Sequence, residues 1–298
     1  MSLPLGETFH DFREDKNLSL SQAAGDIVTK SFLSKFEKGG SSISFENLWL
    51  LLQRMNVTLS EFVYRAYGYM WTASVDFFHE LTRAAVDENF SALDQLIADA
   101  NARYQKSNLV SDHLNYIVAR SVKFSLEDKQ LPKEELDYVL DYLFRSEDWL
   151  RYDIEIMRFI IPFVPVDTLI QMARALLKHS SDFMKTGLNR TETGEILLNI
   201  LALLIKNRKI HDAEVLFGLL HRNPTISSLI LYSIQLHALK AALWFVSDQQ
   251  DKGNAEIRWV LDTLHHLDQN RFARQISAQW NDLTGENLDF AQLFPNQQ

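Results

Sequence analysis

The chain has no cysteine and few glycines and prolines. The absence of cysteine excludes disulfide bonds, thiolate metal sites and cysteine nucleophiles, and it agrees with a reducing cytoplasm. Only 10 glycines and 6 prolines occur among the 298 residues. Because turns use both residue types heavily, their scarcity favours long helices over a turn-rich all-β fold.

Long apolar runs are also missing. The run 196–205 is interrupted by Asn199, and it is shorter than the roughly 18 apolar residues that a membrane-spanning helix needs. Residues 1–15 lack the basic start and the apolar core of a signal peptide. We therefore expect a soluble, cytoplasmic protein that does not interact with a membrane.

The common catalytic motifs are absent. The sequence has no H-E-x-x-H, no Walker A loop, no dinucleotide-binding glycine fingerprint and no G-x-S-x-G. His265 and His266 are adjacent, so a helix would point them in different directions, which is poor spacing for metal ligands. The prediction is a protein that is not an enzyme and that uses no metal and no cofactor.

The net charge of −9 at pH 7 argues against a general coating of nucleic acid. The charge is unevenly distributed, however. Residues 1–65 carry seven Lys or Arg against eight Asp or Glu, so most of the excess acid lies in the later part of the chain. Lys30, Lys35 and Lys38 form a local basic cluster, which leaves room for DNA binding by one small surface.

The first 66 residues read as five short helices. Apolar residues at helical spacing predict helices over 5–16, 20–25, 30–39 and 45–55, and a fifth helix that starts at Ser60. Ser19, Thr29 and Ser44 are suitable N-caps for the second, third and fourth helices. The segment Asp26-Ile27-Val28 is the predicted turn between the second and third helices.

The third helix has an apolar side and a polar side that holds only small hydroxyls and lysines. Such side chains reach phosphates and base edges in a DNA groove, although an ordinary amphipathic surface helix is the alternative. The preceding helix and turn favour a helix-turn-helix, with Glu37 pairing with Arg13 or Lys16. The predicted DNA contacts are Thr29, Lys30, Ser31, Ser34, Lys35 and Lys38, with Gln22 and Arg13.

The run TKSFLSKFEKGGSSISF, residues 29–45, resembles the DNA-binding domain of the Rgg/MutR regulators, within the lambda-repressor-like (XRE) helix-turn-helix group. The group's pattern of serines, apolar and basic residues followed by Glu-x-Gly falls on residues 31–39. The sequence departs from the group at Ala23-Ala24-Gly25, where long polar residues are more usual. The resemblance covers about the first 65 residues well and extends over the rest by length, helix content and the segment 195–200.

The resemblance implies a transcription regulator of Gram-positive bacteria that responds to a short hydrophobic signalling peptide in quorum sensing. Such a protein binds double-stranded promoter DNA, and a helix-turn-helix protein usually does so as a homodimer. The last helices, with Trp259, Leu264 and the stretch 272–280, either cap the array or form the dimer contact.

Helical periods follow one another from residue 67 to the end of the chain. Paired helices at roughly 35 to 45 residues per pair are typical of a tetratricopeptide-like solenoid, although the strict repeat consensus is absent. The predicted fold is therefore all-α. A helix-turn-helix domain over 1–66 precedes a helical repeat domain over 67–298, which would bind the peptide and form the dimer.

Three groups of polar and aromatic residues are candidates for peptide contacts. Each group also has an ordinary structural explanation. Asn199 would bond a neighbouring helix, the group at 149–152 would be a solvated helix start, and Tyr232 and Gln235 would be core and surface residues. The candidates are Trp149, Arg151, Tyr152, Asn199, Tyr232 and Gln235. A function from another class also remains open, a protein–protein adaptor whose first domain docks a protein instead of DNA.

Overall fold

The structure is a computed structural model, and it describes residues 4–66, 73–146, 148–179 and 190–293. The regular elements among these residues are all helical, as predicted. Contacts group the chain into two compact units, 1–83 and 84–298. The division falls inside a helix that follows the predicted boundary at residue 66, and we keep 1–66 as the proposed extent of the helix-turn-helix domain.

The first unit begins with five short helices. Their bounds are α1 (Leu5–Asp15), α2 (Leu20–Ala24), α3 (Lys30–Glu37), α4 (Phe45–Arg54) and α5 (Leu59–Ala66). The three predicted N-caps are confirmed: Ser19, Thr29 and Ser44 each accept a hydrogen bond from the backbone amide three residues later. Each cap satisfies an amide that the first helical turn leaves without a partner.

The fifth helix was predicted to start at Ser60, but it starts one residue earlier, at Leu59, and Thr58 caps it. The Thr58 hydroxyl accepts from the Glu61 amide at 3.2 Å, and the Glu61 carboxylate accepts from the Thr58 amide at 2.7 Å. This reciprocal pair is a capping box. The sequence contains the Thr-x-x-Glu spacing that is typical of a capping box.

The core of the first unit forms where the five helices meet. Phe9, Leu33, Leu51 and Phe62 are fully buried there, one from each of four helices. The small Ala23 and Ala24 of α2 are also buried in this core. Burial of these apolar side chains, and not helix propensity alone, holds such short helices in place.

The second unit is a succession of longer helices. α6 (Ala73–Val86) spans the division, and the rest are α7 (Phe90–Ser107), α8 (Val110–Leu126), α9 (Lys133–Arg145), α10 (Arg151–Ile160), α11 (Val166–His179), α12 (Arg190–Lys206), α13 (Ile210–His221), α14 (Pro224–Ser227), α15 (Ile230–Val246), α16 (Gln250–His266), α17 (Asn270–Thr284) and α18 (Phe290–Leu293). A short 3₁₀-helix (Ile161–Phe163) follows α10.

Alternate helices of the second unit form a continuous row. α8 contacts α10, α10 contacts α12, α12 contacts α15, and α15 contacts α17. Helices that follow each other in the chain, such as α7 and α8 or α15 and α16, also pack together. This arrangement of sequential pairs agrees with the predicted helical repeat domain.

α14 and α15 are separate helices, although only two residues lie between them. The chain makes the single turn of α14, and Leu229 then adopts an extended conformation (φ −85°, ψ 117°) before α15 begins. The Leu229 carbonyl accepts from the Ser233 amide and so starts the new helix. None of the helices in the described part of the chain is both long and apolar enough to cross a membrane.

Candidate nucleic-acid interface and ligand face

The polar side of α3 faces solvent. Leu33 and Phe36 are buried beneath the helix, so the side chains on the opposite side of α3 point outward. Of the predicted DNA contacts in this segment, all are exposed except Ser34, which is half-buried; they are Thr29, Lys30, Ser31, Ser34, Lys35 and Lys38. We call these six residues the α3 face. It combines hydroxyls and ammonium groups and contains no carboxylate.

The one carboxylate of α3, Glu37, turns away from this face and binds Arg13 of α1. Two parallel bonds join them: Arg13 Nε to Glu37 Oε1 at 2.7 Å and Arg13 Nη2 to Glu37 Oε2 at 2.8 Å. A third Arg13 donor, Nη1, binds the Leu18 carbonyl at 2.8 Å. This bidentate geometry is the strong form of an arginine–carboxylate pair. The prediction that Glu37 pairs with a cation of α1 is confirmed for Arg13.

The same contacts show that Arg13 was wrongly placed among the DNA contacts. Arg13 is only 6% exposed, and its guanidinium nitrogens donate hydrogen bonds to Glu37, Glu14 and the Leu18 carbonyl. The hydrogen bonds that Arg13 donates to Glu37 raise the pKa of Arg13, against the effect of burial. Burial alone would raise the pKa of Glu37, but the hydrogen bonds from Arg13 and His10 outweigh it and lower that pKa. Arg13 therefore joins α1 to α3.

Gln22 lies at the surface of α2, and its side chain is partly used. Its Oε1 accepts from the Ser19 amide at 2.8 Å, which completes a capping box at the start of the helix. The side-chain NH₂ group is not needed for this cap, because the cap uses only the oxygen. Gln22 thus stays in the proposed interface as a hydrogen-bond donor.

Arg54 is a structural contact of the helix-turn-helix that the sequence did not reveal. Its Nε donates to the Gln22 carbonyl at 2.7 Å, which ties the end of α4 to α2. Gly25, whose φ is +52°, leaves space for the Arg54 side chain, because a Cβ at this position would lie 2.7 Å from Arg54 Cζ. Sequence periodicity cannot predict a contact between residues so far apart in the chain.

Two of the predicted peptide contacts are buried, and for them the prediction was wrong. Trp149 is 0% exposed, and its Nε1 donates to the Leu143 carbonyl at 2.7 Å. Tyr232 is 6% exposed, and its hydroxyl donates to the Thr191 carbonyl at 2.6 Å. Burial is the main cause that raises the pKa of Tyr232 to about 12. Both rings anchor neighbouring helices.

Tyr152 is half-buried and attaches α10 to α8. Its hydroxyl lies 2.9 Å from the Ser111 carbonyl oxygen and 3.0 Å from Asn115 Oδ1. Burial is again the main cause that raises the pKa of Tyr152. The hydroxyl is therefore engaged, although the residue as a whole is only half-buried.

Charged residues alternate in sign between α10 and α12. Arg151 lies 3.6 Å from Glu192, and Arg158 lies 3.6 Å from Glu195. Glu155, between the two arginines on α10, lies 4.0 Å from Arg151 and 3.8 Å from Arg158. These long distances leave guanidinium donors able to turn toward a further acceptor.

Asn199, the candidate peptide contact that interrupts the apolar run 196–205, is exposed in the structure. It lies one turn beyond Glu195 and two beyond Glu192 on α12, so the three share one side of the helix. We call this surface the ligand face: Arg151, Arg158, Glu192, Glu195 and Asn199. Gln235, the last candidate, is half-buried on α15. Within the described residues, no group of three or more His, Asp or Glu could hold a metal ion.

Comparison with known proteins agrees with both units. Residues 94–278, more than half of the chain, match the family model described as the C-terminal domain of the HTH-type transcriptional regulator Rgg. Residues 10–62 match a helix-turn-helix model.

Several solved structures share the fold over nearly the whole chain. The SHP pheromone receptor Rgg2 of Streptococcus dysgalactiae is 21% identical, with a TM-score of 0.75 over 93% of this chain and 98% of that one. A Listeria monocytogenes EGD-e protein is 19% identical, with a TM-score of 0.81 over 96% and 99%. PrgX in the PrgX/cCF10 complex is 15% identical, with a TM-score of 0.72 over 95% and 93%. The chain belongs to the Rgg family of helix-turn-helix transcriptional regulators.

Proposed function

We propose that this regulator is a cytoplasmic homodimer that binds promoter DNA through the α3 face, with Gln22 as an additional donor. The observation that carries the proposal is the composition of this face. It presents three exposed lysines and three hydroxyl side chains, while the only carboxylate of α3, that of Glu37, lies outside this face and is bound to Arg13. Because the whole chain is acidic, affinity depends on a few cations per subunit, and two half-sites bound together multiply their effect.

A single lysine tests this interface. An operator is first selected from random duplex DNA with the full-length protein, and its affinity is then compared for wild type, Lys35→Ala and Lys16→Ala. Lys16 is a matched control, because it is an exposed lysine of the same unit outside the α3 face. We expect Lys35→Ala to weaken binding at least about tenfold and Lys16→Ala to leave it nearly unchanged. Equal affinities for all three proteins would contradict the proposal.

The second unit is proposed to bind a short hydrophobic peptide on the ligand face. Support comes from the polar groups there, of which Arg151 and Asn199 are exposed, and from the relatives: Rgg2 is a pheromone receptor, and PrgX was solved in a complex with cCF10. Charged and amide groups such as these can form hydrogen bonds with the backbone of a bound peptide. The bound peptide would shift the dimer between arrangements that do and do not fit paired half-sites.

The ligand face is tested with a pool of synthetic hydrophobic octapeptides. Peptides retained by the immobilised full-length protein are identified by mass spectrometry and titrated against wild type, Arg151→Ala, Asn199→Ala and Arg145→Ala. Arg145 is an exposed arginine of α9 outside the face and serves as the control. Loss of binding in the first two variants alone supports the site. Full binding by both would place the peptide elsewhere.

A further inference from the structure

A separate pocket of about 240 Å³ lies between α13, α14 and α15. Its wall contains no residue of α10 or α12, so it is distinct from the ligand face. The lining residues are Phe217, His221, Ser227, Ser233, Leu236, His237 and Lys240. Drug-sized ligands usually need about 300 Å³ or more, so this pocket accommodates one ring or one short chain.

The polar part of the pocket wall is basic. Three of its residues carry nitrogen groups and none carries a carboxylate. The nearest carboxylate on the other side of His237 and Lys240 is Glu256 of α16. A single oxygen of it, Oε1, binds both His237 Nδ1 and, at 3.2 Å, Lys240 Nζ. These two bonds outweigh burial and lower the pKa of Glu256, so it is ionised at neutral pH.

Glu256 thereby fixes the two nitrogen groups and leaves N–H bonds of the Lys240 ammonium unused. An ammonium group has three N–H bonds, and Glu256 accepts one of those on Lys240. The Lys240 ammonium also lies 4.3 Å from the centre of the Trp244 ring, which limits where it can move.

Phe217 and Leu236 supply the apolar part of the wall, and Ser227 and Ser233 add two hydroxyl groups. The rings of Phe217 and His221 stack with 5.7 Å between their centroids, and Leu236 is buried beside them. Trp259, half exposed, packs on His237 with 5.0 Å between centroids. The pocket therefore offers apolar contact on one side and hydrogen-bond donors on another.

We infer that this pocket binds an organic carboxylate, with its carbon body against Phe217 and Leu236 and its anionic group at Lys240. A cationic ligand fits less well, because the one neighbouring carboxylate already has two partners. The same chemistry has two sources: a small free carboxylic acid, or the C-terminal residue of a peptide.

The test uses sodium benzoate as the probe and benzamide as its uncharged match. Binding to the full-length protein is measured by saturation-transfer NMR for wild type, Lys240→Met and Lys252→Met. Lys252 is an exposed lysine of α16 that bonds Gln249, away from the pocket wall. We expect benzoate to bind wild type and Lys252→Met alike, about tenfold weaker binding to Lys240→Met, and no comparable binding of benzamide.

The inference would be overturned by an absence of benzoate binding at millimolar concentration or by equal binding of benzamide. Equal benzoate affinity for wild type and Lys240→Met would overturn it as well. If Lys240→Met does not fold, as circular dichroism would show, the benzoate and benzamide comparison in wild type decides alone. N-acetyl-Leu-Phe and its C-terminal amide separate the sources. Tighter binding of the free-acid dipeptide than of benzoate identifies a peptide terminus, and the reverse identifies a free acid.

Discussion

The Arg13–Glu37 pair fixes the position of α3 relative to α1. Both side chains are almost fully covered, at 7% and 6% exposure, and they join helices whose residues are 24 positions apart. A buried pair of this kind contributes little net energy when intact, but removing one partner leaves an uncompensated buried charge. Its clearest role is therefore to position the α3 face.

Replacing the buried carboxylate should loosen α3. We expect Glu37→Gln to lower the free energy of unfolding of the first unit by about 2 kcal/mol, because Arg13 loses its anionic partner. Native-state hydrogen exchange at α1 and α3 amides measures the effect. Glu14→Gln is the control, since this carboxylate binds the same arginine but is 60% exposed. An equal effect of both changes would show that burial of the pair is unimportant.

The pKa of Glu37 also predicts a pH dependence. Its pKa is lowered from the ordinary 4.5 in the folded protein, so the unfolded chain binds more protons in the interval between the two values. This part of the stability is fully present above about pH 4.5 and is lost as pH falls through the folded pKa. Exchange rates of α3 amides between pH 3 and pH 6 should show the loss in wild type, and a smaller one in Glu37→Gln.

At the scale of elements, the turn between α2 and α3 depends on Gly25. Two effects act there: the positive φ, which disfavours other residues, and the closeness of the Arg54 guanidinium. Gly39 is a natural comparison, because its φ is +71° but a Cβ there would meet nothing within 4 Å.

The two glycines can be separated by parallel substitutions. We expect Gly39→Ala to destabilise the first unit by about 1 kcal/mol through backbone strain alone. Gly25→Ala should cost more, because the added methyl group also displaces Arg54 from the Gln22 carbonyl. Thermal unfolding followed by circular dichroism compares them. If Gly25→Ala is no worse than Gly39→Ala, the Arg54 contact does not stabilise the turn.

Elements of the first unit were largely predictable because their signals are local. Serine and threonine caps lie next to the helices they start, and the apolar periods mark which side of α3 is buried. The sequence also suggested that Glu37 would find a cation on α1. It could not show that this bond would bury Arg13 and withdraw it from the DNA-contact set.

The second unit was less predictable, because the exposure of its candidate residues depends on contacts between helices that are distant in the chain. Asn199 interrupts an apolar run, yet its side of α12 is left uncovered, since packing of distant helices decides which side meets solvent. Trp149 and Tyr232 were proposed as ligand contacts for their chemistry, but large rings are more often buried as anchors. Only Arg151 and Asn199, of the six candidates, lie exposed on the ligand face.

At the scale of the whole molecule, a regulator needs its two units to be coupled. If a peptide alters operator affinity by some factor, bound operator must alter peptide affinity by the same factor. We expect a factor of about 5 to 150, as in other coupled sites. Fluorescence titrations of labelled peptide with and without saturating operator measure one side, and operator titrations measure the other. Unequal factors would show that the two measurements report different dimers.

The salt dependence of operator binding tests the central claim, DNA recognition by the α3 face, most directly. The logarithm of the association constant falls linearly with the logarithm of salt concentration, by about 0.9 for each phosphate contact. For a dimer in which Lys35 contacts phosphate, Lys35→Ala should make this slope shallower by about 2, whereas Lys16→Ala should leave it unchanged. An unchanged slope in Lys35→Ala, with wild-type affinity, would contradict the account.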